Sequence, residues 1–391
     1  MAPYIPFAHT KAGCDILTTF YSDAPAVRVT LDQVALLKPY LPSTVPLWID
    51  PAFEGFSIKP AARSADWQNF IEHYANQGDF EDPAFLDKPS KPEVQALVEG
   101  LMNACIAHSP ARITIPQWPV DLDTPKFKLN RLLAEAATKW RSTTNKHVEL
   151  ILPVVFTHQS QLGDKAARTK SISHVKSCLA RGQFEGLWGV DSSLADQDGT
   201  GNFENDRFKS ILKFFDEVRE VVGSAKHLTA GPHWGLNLVL WARGQVNHPA
   251  IGLGSAYQYH VHGGIPHGPK TRVALAPLRR WATYSSELRT WLAANIPLTP
   301  PGSPAHKALS DLHTKFVYYE SSTTARQQIA QFYRDWVHSL DSTPAAGRAL
   351  ALFQDLSSAY VLGKTLGPLP KDEKSARRPE RVAKQLMLNC L

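Results

Sequence analysis

VELILPVVFTH, residues 148–158, is apolar almost throughout and stops on Thr157 and His158. A strand with one face in water alternates polar and apolar side chains. A strand covered on both faces reads as an unbroken apolar run, which is the mark of a parallel sheet under helices. Its neighbours repeat the arrangement. RITIPQWP (112–119) comes before it and GLWGVDSS (186–193) after it, separated by the helical patterns KFKLNRLLAEAATKW (126–140) and RTKSISHVKSCLARG (168–182).

Working outward, further β-like runs are DILTTFYSD (15–23), VPLWID (45–50), HLTAGPHW (227–234), AIGLGSAYQYHV (250–261) and RVALAP (272–277). Helical spacing marks TLDQVALLKPYL (30–41), KPEVQALVEGLMNACIAH (91–108), NDRFKSILKFFDEVREVVG (205–223), LNLVLWARG (236–244) and LRRWATYSSELRTWLAANI (278–296). In the third of these, Phe208, Ile211, Leu212, Phe215 and Val218 share one face. Eight strand candidates alternating with helices predict an α/β fold, a (β/α)8 TIM-like barrel. An open doubly wound sheet would give the same local signals.

The prolines of IPLTPPGSP (296–304) mark a boundary, after which only helical patterns follow. The predicted organisation is a barrel over residues 1–300 and a helical extension with a basic tail over residues 301–391. Two insertions stand out, the aromatic-rich residues 51–90 and the Gly/Pro/His loop 262–271.

The chain of 391 residues is 43% hydrophobic and 20% charged, an ordinary globular composition. It has no apolar run long enough to span a membrane and no leader pattern at its start. Its four cysteines, Cys14, Cys105, Cys178 and Cys390, form no CxxC pair, so a reduced cytoplasmic setting is expected. The formal charge is +6, with much of the excess in KDEKSARRPERVAK (371–384). Such a tail meets phosphates or is a solvated end segment.

In parallel α/β folds the chemistry gathers where strands end. The predicted strand ends carry Asp50, Gln117 with Trp118, Thr157 with His158, Asp191, His233 with Trp234, and Tyr257 to His260. In GPHWG, Gly231 and Pro232 force a tight exit, Gly235 permits close backbone approach, and His233 and Trp234 are expected to face the mouth. Asn237 caps the next helix or points at a ligand. An Asp before Pro, as at Asp50, also starts turns, and Asp191 before two serines also caps helices.

Three chemistries fit these residues. Two carboxylates acting on a glycosidic or nucleobase–sugar bond is the first. Asp191 is then nucleophile or stabiliser, Asp50 the acid or base with Glu54 as a substitute, and His233 orients a substrate oxygen. Gln117, Trp118, His158, Trp234, Asn237, Tyr257, Tyr259 and His260 line the substrate, and the tryptophans, with Trp48 and Trp188, stack on a sugar or base. The second is a metal-dependent hydrolase using His158, Asp191, His233 and His260, for which only HVH (260–262) has close spacing. The third is phosphate binding by GGIPHGPKTR (263–272), through Lys270 and Arg272, although no P-loop motif is present. DSSLADQDGTGNFEND (191–206) lacks calcium-loop spacing and reads as a mobile loop over the site.

The alternation, the basic balance and the strand-end aspartates resemble the tRNA-guanine transglycosylase superfamily, whose members exchange a nucleobase through an aspartate nucleophile in a (β/α)8 barrel. That family's C-terminal zinc cysteines have no counterpart among the four scattered cysteines, and no catalytic motif matches closely enough to carry residues over. The expectation is therefore carboxylate chemistry on a glycosidic or nucleobase–sugar bond of a nucleotide, nucleic acid or sugar, with no metal or cofactor and no membrane. A non-catalytic nucleic-acid-binding component and a metal-dependent hydrolase are the alternatives.

Overall fold

Eight short parallel strands close on themselves in the computed structural model, which describes residues 3–53, 91–120, 126–144, 147–194, 207–223, 226–253, 271–371 and 377–391. They are β1 (Ile5–Phe7), β2 (Val27–Thr30), β3 (Leu47–Asp50), β4 (Arg112–Thr114), β5 (Glu149–Phe156), β6 (Gly186–Asp191), β7 (His227–Ala230) and β8 (His248–Gly252). Each pairs with the next, and β8 returns to β1 through Ile5↔Ala250, Pro6↔Ile251 and Phe7↔Gly252. Closure leaves no sheet edge exposed. The fold is the (β/α)8 barrel that the alternation predicts.

Two of the eight expected strands are not barrel strands. DILTTFYSD lies largely in helix α1 (Lys11–Phe20), where Gly13, Cys14, Ile16 and Leu17 are buried and Thr10 caps the start by accepting from the Gly13 amide at 3.1 Å. Its β-branched residues suggest a strand, but the buried positions recur at helical spacing. RVALAP forms β9 (Arg272–Leu275), which pairs antiparallel with β10 (Arg280–Thr283) outside the barrel. β10 takes the start of the segment read as helix after it, and the helix itself begins only at Ser286. The true first strands, IPF and VRVT, have three and four residues, too few to show a period.

Helices α2 (Leu31–Leu37), α3 (Lys91–Ile106), α4 (Lys126–Thr144), α5 (Lys165–Leu179), α6 (Arg207–Val222) and α7 (Leu236–Ala242) follow in turn. The C-terminal part adds α8 (Ser286–Asn295), α9 (Pro304–Thr314), α10 (Ser322–Asp341), α11 (Arg348–Thr365) and α12 (Arg381–Met387). Helix α10 packs against α1 and gives Ile329, Phe332, Tyr333, Trp336 and Val337 to the core between barrel and helices. Its later part lies near the beginning of β1, where Tyr4 Oη meets His338 Nε2 at 3.3 Å. Its N-terminal end therefore points toward the face where the strands finish.

Inside the barrel, Ile5, Phe7, Trp48, Ile151, Val155, Trp188, Val190 and Ala250 form a separate cluster. Alternation along each strand then sorts the end residues. Asp50 shares the inward face of Trp48, whereas Asp191 lies on the opposite face from Trp188 and Val190. A second core, including Val273, Leu275, Leu288, Leu292, Leu309 and Phe316, lies under the β9–β10 hairpin, α8 and α9. Among the described residues, no helix is long and apolar enough to cross a membrane.

Candidate active site

The inward-facing end of β3 is built around an ion pair. Asp50 Oδ2 accepts from Arg28 Nε at 2.7 Å and also from Arg28 Nη2, and both side chains are 0% exposed. Asp50 Oδ1 accepts from the Ala52 amide at 2.8 Å, so the turn-forming role of an Asp before Pro is present as well. The Arg28 guanidinium lies 4.5 Å from the ring centres of both Phe7 and Trp188. Those rings and Trp48 meet edge to face, with centroids 5.6 to 6.4 Å apart. Both indole donors are satisfied, Trp48 by Thr114 Oγ1 at 2.8 Å and Trp188 by the Gly231 carbonyl at 2.7 Å. Three packed rings thus fix the cation, and the cation fixes the carboxylate. A desolvated cation–π contact contributes about 2 kcal/mol.

His9, just past β1, was not among the expected site residues. Burial, with the Arg28 charge adding to it, pushes its pKa down to about 4, so it is a neutral imidazole. The only sequence signal for it was a histidine after an apolar tripeptide.

Asp191 has a different partner. Its Oδ2 accepts from Arg207 Nε at 2.5 Å, and Arg207 Nη2 reaches the His158 carbonyl at 3.1 Å. Arg207 begins α6, so this cluster fastens that helix to the ends of β5 and β6. The Asp191 amide donates to His233 Nε2 at 3.4 Å. With Nε2 accepting, the ring proton is assigned to Nδ1, which has no hydrogen-bond partner among the described residues. Burial pushes the His233 pKa down to about 4, against the pull of the Asp191 charge. The structure thus brings Asp191 and His233 together, while Asp50 stands on the other face of the barrel wall.

The remaining expected residues divide by location. Gln117 Nε2 donates to the Asn130 carbonyl at 2.8 Å, and the Asn130 side chain pairs with the backbone of Trp118 at 2.7 and 2.9 Å. Both therefore anchor α4. His158 caps the short 3-10 turn Gln159–Leu162 and is exposed. Trp234 turns away from the mouth and packs on Phe332 and Tyr333 of α10, with Nε1 donating to the Arg279 carbonyl at 3.2 Å. Asn237 accepts from Tyr333 Oη at 2.7 Å and donates to the Ala250 carbonyl, so it clamps α7 to α10 and β8. Arg272 stacks 3.8 Å over Trp281 in the β9–β10 hairpin. Trp48, Trp118, Trp188 and Trp234 are all buried, so none presents an open face for stacking.

Glu54, Tyr257, Tyr259, His260, His262 and Lys270 lie outside the described residues, as do nearly all of both insertions and residues 195–206 of the acidic stretch. Among the described residues, no group of three or more His, Cys, Asp or Glu side chains is placed to hold a metal ion.

The corner GPHWG has a physical account. Gly231 has φ +90° and Gly235 φ +68°, where an L side chain is strained. A Cβ on Gly235 would also stand 2.5 Å from Leu386 Cδ1 of α12. The corner folds sharply so that His233 meets β6, Trp234 meets α10, and α12 packs on the backbone itself.

No protein-family model matches the chain, and no curated protein matches it.

Proposed function

We propose that the protein is an enzyme that cleaves or exchanges a glycosidic or nucleobase–sugar bond at the barrel mouth, with Asp50 meeting the anomeric carbon. The observation that carries this reading is the inward-facing Asp50 carboxylate at the end of β3, with Oδ2 gripped by Arg28 and Oδ1 holding one amide. An ionised carboxylate is acceptor-only, which suits a nucleophile or cation stabiliser rather than a proton donor. The role expected of Asp191 therefore moves to Asp50, since Asp191 is committed to Arg207 on the outer face.

In the step proposed, the bond from the anomeric carbon to its leaving group breaks, and the leaving group keeps the electron pair and takes a proton from solvent water. Asp50 Oδ1 forms the new C–O bond or stabilises the oxocarbenium ion. Water or an incoming base then forms its own bond to the anomeric carbon and gives up one proton to solvent, and the carboxylate is regenerated. Arg28, held by Phe7 and Trp188, keeps Oδ1 in position without reorganisation. Asp50 is buried, so the strand-end face of the barrel must open to it as substrate binds.

The charge of +6 favours a nucleotide or nucleic acid as the carrier of that bond. Exposed Lys371, Arg377, Arg378 and Lys384 add a basic stretch to which phosphates would bind. This is also the exchange carried out by the transglycosylases that the sequence pattern resembles. The four cysteines are free thiols, which supports a cytoplasmic location.

The test is a turnover screen of the full chain against nucleosides, nucleotides, RNA, DNA and aryl glycosides, repeated with Asp50→Asn. Loss of turnover by about a thousandfold or more in a folded variant is expected. A folded Asp50→Asn protein with undiminished turnover overturns the reading, as does the absence of any bond cleavage or base exchange across the screen.

A further inference from the structure

The alternation of β1 continues past its last residue. Tyr4 and Ala8 belong to the core outside the barrel, and Ile5 and Phe7 to the cluster inside it. The chain is still paired on both sides where β1 ends. The Ala8 amide donates to the Arg28 carbonyl at 2.9 Å, and the Leu253 amide to the Phe7 carbonyl at 3.0 Å. His9 is the next inward position. The Arg28 charge acts on its ring, as it does on a group at the inner mouth.

Strand register fixes the level of His9. Phe7 pairs with Arg28, and Arg28 with Trp48, so these three form one tier. One step further, Thr30 pairs with Asp50, and His9 stands at the same height on β1. Two strand spacings, about 10 Å, separate the backbones of His9 and Asp50. Both side chains turn inward, so a reacting group fits between them. Thr30, on the strand between, carries only a hydroxyl. The His9 ring is uncommitted. It is half-buried and makes no hydrogen bond, ion pair or ring contact among the described residues. It is held neutral, so one ring nitrogen is free to accept a proton.

We propose that His9 is the proton acceptor of the barrel mouth, taking the proton of the incoming nucleophile as that nucleophile attacks the anomeric carbon at Asp50. This role rests on the reading of Asp50 given above. The lone pair of water, or of an incoming base, forms the new bond to the anomeric carbon. Where Asp50 Oδ1 had bonded to that carbon, the bond breaks and its electron pair returns to the carboxylate. The proton leaves the nucleophile for His9 and passes from His9 to solvent, which restores the neutral ring. General base catalysis contributes about 10²–10⁴-fold. The weak basicity of His9 places it toward the lower end of that range.

The test uses the full chain and whichever of the nucleosides, nucleotides, nucleic acids and aryl glycosides it turns over, with His9→Ala, His9→Gln and Asp50→Asn compared with the parent. Both His9 variants should keep the parent Tm and lose turnover in water by about a hundredfold. Azide attacks as an anion with no proton to give up. Adding sodium azide should therefore raise the turnover of His9→Ala by at least about tenfold, with the glycosyl azide as product, and change the parent little. His9→Gln keeps the bulk and hydrogen bonding of the side chain, and it decides the role if His9→Ala does not fold. Full turnover in a folded His9 variant overturns the role of His9 alone when Asp50→Asn is inactive. A loss in His9→Ala that azide does not restore also overturns it, since the ring would then act by shape or binding. No turnover by the parent on any substrate overturns both this role and the reading of Asp50.

Discussion

Arg28 and Asp50 stand on the same inward face of neighbouring strands, and the guanidinium of one closes on the carboxylate of the other with no water-exposed surface on either side chain. Taking two charges out of water is expensive, and removing one partner leaves the other unpaired in the interior. Arg28→Met should therefore cost about 3–5 kcal/mol of stability. The double variant Arg28→Met/Asp50→Leu should recover most of that loss, because neither charge is then buried. Urea unfolding measures both. Equal losses in the single and double variants would show that packing of Arg28 against Phe7 and Trp188, rather than charge pairing, dominates.

Asp191 and Arg207 offer the complementary case, a buried pair on the outer face. Asp191→Asn should also cost about 3–5 kcal/mol, since the buried Arg207 loses its carboxylate and the start of α6 loosens. Turnover per folded molecule should stay within about threefold, in contrast to Asp50→Asn. Kinetics on protein corrected for its folded fraction decides the point, and a thousandfold loss at Asp191 would return the nucleophile role to it.

Gly235 is held at φ +68° with Leu386 against its backbone. Gly235→Ala should destabilise by about 1–3 kcal/mol from the backbone conformation, and more from the clash. In a double-mutant cycle with Leu386→Ala, the combined loss should be smaller than the sum, because the smaller side chain removes the clash but not the strain. Strict additivity would mean that α12 shifts freely to accommodate the methyl group.

Acid should unfold the protein through its buried histidines. His174 and His233 are 3% and 4% exposed, and burial pushes each pKa from 6.5 down to about 4. Above pH 6.5 both states are neutral and these groups contribute nothing to the pH dependence. As pH falls from 6.5 toward 4, the unfolded chain takes up protons that the folded one refuses, so stability falls through that window and levels below it. Each histidine accounts for a loss on the order of 3 kcal/mol. Stability measured at successive pH values should show a shallower fall over the window in His174→Leu than in the parent. An unchanged slope would place the acid sensitivity elsewhere.

The sequence by itself determined the architecture wherever a strand was long enough to show its surroundings. β5 and β6, with eight and six residues, read as buried on both sides because helices cover one face and the barrel interior the other. It also put Asp50, Asp191 and His233 at strand ends, since the apolar runs stop there. Tertiary structure decided the rest. Three residues at β1 carry no period, and what makes them a strand is pairing with β8 across the closure. A periodic pattern reports that a residue is buried, not what buries it, so only its contacts with α1 and Asn237 show where on the barrel α10 packs. The two aspartates look alike in sequence. Register and alternation turn one toward Arg28 and the other toward Arg207, because neighbouring positions on a strand face opposite ways and only the closed barrel says which way is in.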